Sequence, residues 1–191
     1  MSAILTHHEE TILTSKLHAV ICLAETLARA LDIPASRKNR VTKINTVAME
    51  TLELELEFLG RYFEIERIRF QDRLQLEYDI DPECLTAAVP SLLLQPLAEN
   101  AMKHGISRDP TARLLRITAR RENSQLILTV YNDGPPLPRD ELIEGPGIGV
   151  QNTRARLHML YGDEARFELR DQPPRGVLAR ITLPYHTTPA Q

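Results

Sequence analysis

Residues 89–105 read VPSLLLQPLAENAMKHG and decide the fold. Leucines and alanines at helical spacing predict a helix over residues 90–104 with one buried apolar side. Its polar side offers a carboxylate, an amide, an ammonium and an imidazole within about one and a half turns, from Glu99, Asn100, Lys103 and His104. An amide oxygen can ligate Mg²⁺ and a cation can neutralise phosphate oxygens, so the helix suits a metal-bound polyphosphate. A merely solvated polar face is the alternative for this segment alone.

Two loops downstream strengthen the phosphate interpretation. Residues 129–136, TVYNDGPP, end a strand in a polar turn, and residues 144–152, EGPGIGVQN, form a glycine-spaced loop that leads into a helix. Alternate glycines let backbone N–H groups approach a phosphate, and the helix N-terminus adds partial positive charge. The loop is not a Rossmann fingerprint, because no parallel strand directly precedes it, and the P-loop pattern G-x-x-x-x-G-K-[ST] is absent from the sequence.

Short alternating segments follow Asp72. They predict strands over residues 74–80, 113–121, 126–131, 166–170 and 176–184, and a helix over residues 151–161. Strands and helices with hairpin-length connections indicate an α+β sandwich, with helices on one face of a mixed, mostly antiparallel sheet.

The first 70 residues have helical periodicity. Apolar residues at alternating four- and three-residue steps predict one helix over residues 13–31, Pro34 interrupts it, and a second helix is predicted over about residues 37–69. Such a two-helix hairpin cannot bury its apolar seam alone. A dimeric four-helix bundle is therefore favoured over packing within one chain.

Composition excludes several classes of protein. The 191 residues include 23 Lys and Arg against 26 Asp and Glu, a formal net charge of −3, so a nucleic-acid partner is not expected. No stretch approaches the roughly 20 apolar residues of a membrane span, and the N-terminus does not resemble a signal peptide. Cys22 and Cys84 lack C-x-x-C spacing and are expected to be buried reduced thiols, which fits a cytoplasmic location.

Three blocks resemble a known family. Residues 92–106, 132–136 and 145–162 are similar to the N, G1 and G2 boxes of the Bergerat-type (GHKL) ATP-binding domain of histidine kinases, gyrase, Hsp90 and MutL. With residues 56–70, LEFLGRYFEIERIRF, the resemblance narrows to the LytS/YehU class of sensor histidine kinases and covers roughly residues 52–184. It implies a Bergerat-type ATP-binding α/β sandwich after the helical hairpin, with ATP and Mg²⁺ as ligands.

The resemblance also implies site residues. Asn100 would ligate Mg²⁺, with Glu99, Lys103 and His104 near the phosphates. The adenine-facing turn would be Asn132, Asp133 and Gly134; the lid over the phosphates would contain Gly145, Gly147, Ile148 and Gly149; and Asn152 and Arg154 would help to close the site. Packing is the favoured interpretation of five apolar positions, Leu94, Leu97, Ala101, Ile148 and Leu157.

The sequence departs from the family pattern at three positions. Asn132 replaces the usual Asp, so the hydrogen bond to the adenine amino group lacks charge assistance and ATP binding is expected to be weaker. Pro136 replaces the usual second glycine of that turn. Pro96 stands where ATP-hydrolysing relatives have a Glu that activates water, which favours transfer to a protein acceptor.

The phosphoacceptor histidine has no clear motif. The best register with the family's Pro-His-Phe-Leu-Phe-Asn-like stretch places Thr11 where His belongs. An imidazole is needed as nucleophile, which leaves His7, His8 and His18 as candidates, with Glu9 as a base beside His8. For each histidine, an ordinary surface position is the favoured alternative.

The resulting hypothesis is the core of a bacterial sensor histidine kinase. It would comprise a helical dimerisation and phosphoacceptor-like region at residues 1–70, a kinase ATPase domain at 71–186 and a loose tail at 187–191. It would form a homodimer, phosphorylate its own His and pass the phosphate to a response-regulator receiver domain. A kinase-inactive ATP-binding regulator is the alternative, and a gyrase-type hydrolase is disfavoured by Pro96. A membrane or sensor region upstream is left open.

Overall fold

A computed structural model of the 191-residue chain describes residues 49–70, 73–137 and 148–187. These residues belong to a compact unit that begins at Met49. Residues 1–48 lie outside the described residues. They contain the predicted helix over residues 13–31 and most of the predicted helical hairpin, so that helix, the hairpin and its dimer stay predictions. The division at residue 70 also stays a prediction, as does the tail, of which only Thr187 lies within the described residues.

The described residues alternate between strands and helices. The strands are β1 (Met49–Thr51), β2 (Gln75–Ile80), β3 (Ala88–Pro90), β4 (Leu114–Glu122), β5 (Gln125–Asn132), β6 (Arg166–Asp171) and β7 (Val177–Pro184). The helices are α1 (Leu52–Phe70), α2 (Gln95–Asn100) and α3 (Ile148–Tyr161). A π-helical turn over Ala101–Ile106 continues α2, and 3₁₀ turns lie at Pro82–Cys84 and Gly162–Glu164.

Five strands form one sheet in the order β2-β4-β5-β7-β6. β2 pairs with β4 in parallel, and the other neighbours are antiparallel. The α+β class and the mixed, mostly antiparallel sheet are therefore confirmed. All five predicted strands are confirmed to within one residue at each end, because period-two alternation marks a strand with one buried face.

The core lies between one face of this sheet and the helices. β7 alternates strictly, and on β5 Leu126, Leu128 and Val130 are buried opposite Leu183, Ile181 and Ala179 of β7. The helices contribute buried side chains from one stripe each, among them Leu52, Leu59 and Phe63 of α1, Leu97 and Ala98 of α2, and Val150 and Leu157 of α3. The expected reduced thiol is confirmed for Cys84, which is free and buried.

Helix boundaries differ from the prediction at three places. Residues 49–51 form β1 and pair antiparallel with β3, so the prediction of an unbroken helix over residues 37–69 is wrong there. The helix predicted from Pro90 begins only at Gln95, because Pro90 belongs to β3 and Leu92 takes a left-handed φ of 55°. α3 begins at Ile148, three residues before the predicted start at residue 151.

Among the residues that the structure describes, no helix is both long and apolar enough to cross a lipid bilayer.

Candidate functional site

α2 and its π-helical turn present the polar residues predicted for phosphate and metal. Asn100 is the last residue of α2 and is half-buried, whereas Glu99 and Lys103 are exposed and His104 is half-buried. The apolar side is anchored as expected, since Leu94, Leu97 and Ala101 are buried. A π-helical turn inside a helix is rare and frequently marks a functional site. The segment over residues 95–106, called the Asn100 segment below, therefore presents its polar groups from a fixed apolar base.

A buried carboxylate holds the N-terminal end of the Asn100 segment. Glu55 of α1 has no solvent exposure. Its carboxylate accepts hydrogen bonds from the backbone N–H groups of Leu92 at 2.8 Å, Leu94 at 2.7 Å and Gln95 at 3.3 Å. The pKa of Glu55 is raised to about 8. Burial is the main cause, and a hydrogen bond with the Glu50 carboxyl contributes to the increase.

An arginine holds the other end. The Nη2 of Arg73 donates a hydrogen bond to the backbone carbonyl of Ile106 at 2.7 Å, at the end of the π-helical turn. The same guanidinium lies over the ring of Phe70, 5.1 Å from its centroid. Cations stabilise helix C-termini, so the guanidinium of Arg73 complements the helix dipole at this end.

The end of β5 brings Asn132 against the Asn100 segment. Asn132 is 3% exposed, and its Nδ2 has no hydrogen-bond partner. A Cβ built on Gly105 would lie 2.1 Å from this Nδ2, and one built on Gly134 would lie 2.4 Å from the Cα of Gly105. Both positions therefore require glycine, because a larger residue would displace Asn132 or backbone. The structure thus joins the first and second predicted blocks at one point.

Asp133 has a structural role in the same turn. Its Oδ1 accepts hydrogen bonds from the backbone N–H groups of Arg113 at 2.8 Å and Leu114 at 2.9 Å. Its own N–H donates to the carbonyl of Leu114. These bonds hold the start of β4 against the turn that follows β5, so Asp133 positions the turn that contains Asn132 and Gly134.

The third block is described only in part. Gly145, Gly147 and the side chain of Ile148 lie outside the described part of the chain. Gly149 belongs to the first turn of α3, where a Cβ would lie 3.6 Å from the Cβ of Pro96, so α3 and α2 approach closely at this point. Asn152 is half-buried, and the exposed Arg154 lies over the ring of Phe167, 5.4 Å from its centroid. Leu157 is buried, as expected.

Sequence reasoning missed Glu55 and Arg73, and it could have found the first. Glu55 falls on the helical stripe of Leu52, Leu59 and Phe63, all of which are buried. A carboxylate on an apolar stripe is a signal for a buried partner. The candidate phosphoacceptors and base, His7, His8, His18 and Glu9, lie outside the described residues.

The donor set fits Mg²⁺ that arrives with a polyphosphate. The described residues contain no group of three or more His, Cys, Asp or Glu side chains that could hold a metal ion without a ligand. Mg²⁺ in nucleotide sites is held by one or two protein oxygens together with phosphate oxygens and water. The Asn100 amide would supply one such oxygen, three residues before Lys103, and the Nδ2 of Asn132 has a hydrogen bond to offer a polar ligand.

A hollow of about 810 Å³ lies away from these residues. Its lining includes Arg166, Glu168, Arg180 and Thr182, whose side chains alternate with the buried residues of β6 and β7 and so lie on the opposite face of the sheet. Acidic and basic side chains are mixed there, and none of the predicted nucleotide residues contributes to it.

Comparison with known proteins agrees with the geometry. Over 136 residues the chain is 32% identical to the sensor histidine kinase YesM of Bacillus subtilis. The aligned region covers 70% of this chain and 24% of YesM. It is 33% identical to the sensor histidine kinase BtsS of Escherichia coli K12 over 136 residues. This match covers 71% of this chain and 24% of BtsS. The chain belongs to the LytS type of sensor histidine kinases. No family model matches the chain.

A third relative of the same type is the sensor protein LytS of Staphylococcus saprophyticus, 30% identical over 152 residues, which covers 74% of this chain and 25% of LytS. The chain thus spans about a quarter of the length of these curated relatives.

Solved histidine kinases share the fold. The catalytic domain of histidine kinase ThkA superposes with a TM-score of 0.57 at 18% identity, covering 74% of this chain and 98% of that one. The Acinetobacter baumannii histidine kinase AdeS gives a TM-score of 0.60 at 17% identity, and the match covers 96% of this chain and 87% of AdeS. ThkA in complex with response regulator protein TrrA gives a TM-score of 0.54 at 16% identity, and the match covers 85% of this chain and 49% of the ThkA chain. The described sandwich is therefore a histidine kinase catalytic fold.

Proposed function

We propose that this chain is the ATP-binding and phosphotransfer core of a sensor histidine kinase in a two-component system. The observation that carries the proposal is the contact of Asn132 with Gly105 and Gly134. It joins the segment that presents Asn100 to the turn after β5, in a chain whose relatives are sensor histidine kinases.

Asn132 would bind the base. Its buried Nδ2–H lacks a partner, and an unpaired buried donor costs about 1–3 kcal/mol. An amide can accept from the adenine amino group through its oxygen and donate to the neighbouring ring nitrogen through Nδ2. ATP binding would satisfy the donor that the fold leaves unpaired.

Asn100 would hold Mg²⁺ through its amide oxygen, and Lys103 would neutralise phosphate charge. Bound Mg²⁺ supplies charge neutralisation on the phosphate oxygens. Lys103 is exposed beside the half-buried His104, so both can reach a polyphosphate above the π-helical turn. The residues predicted for the lid, Gly145, Gly147 and Gly149, would exclude water, and Asn152 with Arg154 would help to close the site.

The acceptor would be a protein histidine. Pro96 occupies the first turn of α2 and cannot act as a base, so this position offers no activation of water. An imidazole from His7, His8 or His18 would attack the γ-phosphorus in line, so that an N–P bond forms as the bond to the β,γ-bridging oxygen breaks and ADP leaves; Glu9 would take the imidazole proton if His8 is the acceptor. The phosphate would then pass to the aspartate of a receiver domain, a partner class that the ThkA–TrrA complex illustrates for ThkA. A homodimer through residues 1–70 and a cytoplasmic location complete the proposal.

Labelling with γ-phosphate-labelled ATP tests the proposal. The chain is expected to form an acid-labile, base-stable phosphoprotein, and one of the variants His7→Gln, His8→Gln and His18→Gln is expected to lose the label. A chain that binds ATP but never becomes labelled would instead be a kinase-inactive regulator that acts through its helices. Steady phosphate release without labelling would indicate a hydrolase.

A further inference from the structure

We propose that Glu55 and Arg73 are positioning residues that tie both ends of the Asn100 segment to α1, so that α1 sets the position of Asn100. The proposal rests on the function proposed above, because Asn100 matters as the residue that holds Mg²⁺. Neither residue touches the nucleotide in this account, and each acts through backbone groups of the segment.

The N-terminal attachment uses both oxygens of one carboxylate. Oε2 of Glu55 accepts from the Leu92 N–H, and Oε1 accepts from the N–H groups of Leu94 and Gln95. Leu92 has a φ of 55°, a conformation that costs a non-glycine residue free energy unless its surroundings hold it. The N-cap residue Leu94 has no side-chain cap of its own. Glu55 therefore replaces the local cap that the sequence of the loop lacks.

The C-terminal attachment is a charge-assisted hydrogen bond. Arg73 donates from Nη2 to the carbonyl of Ile106, which ends the π-helical turn. Phe70, the last residue of α1, lies under the guanidinium and limits its orientation. The segment is thus held at both ends by residues of, or directly after, the same helix.

Tyr62 of α1 lies near Glu99, between these two ends. Tyr62 of α1 is half-buried, and burial together with the nearby carboxylates of Glu66 and Glu99 raises its pKa. Glu99 immediately precedes Asn100, and its Oε1 accepts a hydrogen bond from Nε2 of Gln95 at 2.7 Å. The residue before Asn100 is therefore near α1 and is also held by a hydrogen bond within its own helix.

Rigid packing makes these attachments matter for the site. Leu59 and Phe63 of α1 and Leu97 and Ala98 of α2 are buried in one core cluster. Packed helices move as units, so a displacement of α1 would be transmitted to α2 through the two attachments. Catalysis by charge neutralisation is sensitive to displacements of about 1 Å.

Hydrogen exchange and Mg·ATP titration of the whole chain test the proposal together. Glu55→Gln keeps the size of the side chain but replaces one acceptor oxygen by an NH₂ group. We expect the amides of Leu92, Leu94 and Gln95 to exchange at least about tenfold faster and the Kd for Mg·ATP to rise about tenfold. Glu57→Gln, an exposed position on the same helix, is the matched control and should change neither by more than about twofold.

Arg73→Gln gives an independent test at the other end. It removes the charged donor to Ile106, and we expect a rise in the Kd for Mg·ATP of about three- to tenfold, whereas the exposed control Arg61→Gln leaves it unchanged. Leu183→Ala separates positioning from stability, because it weakens the core at the end of β5 and β7 remote from Asn132 and should leave the Kd unchanged.

Four results would overturn the proposal. Unchanged exchange at Leu92 and Leu94 in Glu55→Gln would show that the carboxylate does not hold the loop. An unchanged Kd in both Glu55→Gln and Arg73→Gln, or an equal rise in Leu183→Ala, would show that the contacts serve stability alone. Failure of the wild-type chain to bind Mg·ATP would overturn the proposed function and this proposal with it. The exchange data would still show whether Glu55 holds the amides of Leu92, Leu94 and Gln95.

Discussion

On one side of the five-stranded sheet, Arg116 of β4 and Glu77 of β2 form an ion pair at 2.7 Å with both side chains nearly half exposed. Arg120 pairs with Asp79 on the same strands. On the helix-covered side, Asn132 is buried with an unpaired Nδ2, and the helix layer above it contains the buried carboxylate of Glu55. The polar groups on the two sides therefore differ in their access to solvent.

The difference separates polar groups that serve solubility from those that serve a site. Exposed ion pairs contribute about 0–1 kcal/mol, because water and salt screen them. A buried amide or carboxylate must be satisfied by protein or by ligand, since an unmet hydrogen bond is costly in a low-dielectric interior. The buried groups are therefore the informative ones for function.

The largest expected effect comes from Gly134→Ala on the helix-covered side. The added Cβ would lie 2.4 Å from the Cα and 2.7 Å from the carbonyl carbon of Gly105, and backbone cannot yield as a side chain does. We expect a loss of about 3 kcal/mol or more in the free energy of unfolding, measured by urea denaturation. Gly60→Ala is the control, because its Cβ would meet nothing within 4 Å and should stabilise α1 by about 0.5–1 kcal/mol. Equal effects of the two substitutions would contradict the close approach.

The next effect is a pH dependence that belongs to Glu55. Its pKa is raised from 4.5 to about 8 in the folded protein, so the folded state binds the extra proton between these values. The stability that this carboxyl contributes is therefore fully present below about pH 4.5 and is lost as the pH rises through about 8. The free energy of unfolding of the wild type should fall more steeply than that of Glu55→Gln from pH 5 to about pH 8. Parallel curves would refute this assignment.

Asn132→Ala should separate binding from stability. The substitution removes an unpaired buried donor and leaves a small space, so we expect the free energy of unfolding to change by less than about 1 kcal/mol. Affinity for Mg·ATP should fall about tenfold, because the amide no longer contacts the base. Calorimetry measures the affinity and thermal denaturation the stability. A large loss of stability without loss of affinity would make Asn132 a structural residue.

The smallest effect is expected on the open side. Glu77→Gln breaks the exposed ion pair with Arg116 and should lower the free energy of unfolding by no more than about 0.5 kcal/mol, with no change in affinity for Mg·ATP. The same denaturation and titration experiments measure both. A loss comparable to that of Gly134→Ala would remove the distinction between the two sides of the sheet.

Local patterns predicted the sheet, because alternation in segments such as residues 126–131 reports directly on a buried face. They failed where distant residues decide the local structure. β1 exists because Met49–Thr51 pairs with Ala88–Pro90, and the late start of α2 depends on Pro90 and on Glu55, which is 40 residues from Gln95. Motif spacing predicted that the blocks around Asn100 and Asn132 belong together. It did not show that Asp133 holds the start of β4, since that bond depends on a register between strands.

Titration calorimetry of Mg·ATP with the wild type and Asn100→Ala tests the central claim most directly. Asn100 is half-buried at the end of α2, so its removal should leave the fold intact, which circular dichroism checks. We predict saturable binding by the wild type that requires Mg²⁺ and is lost in Asn100→Ala. Undiminished affinity in Asn100→Ala, or no binding by the wild type, would contradict the account.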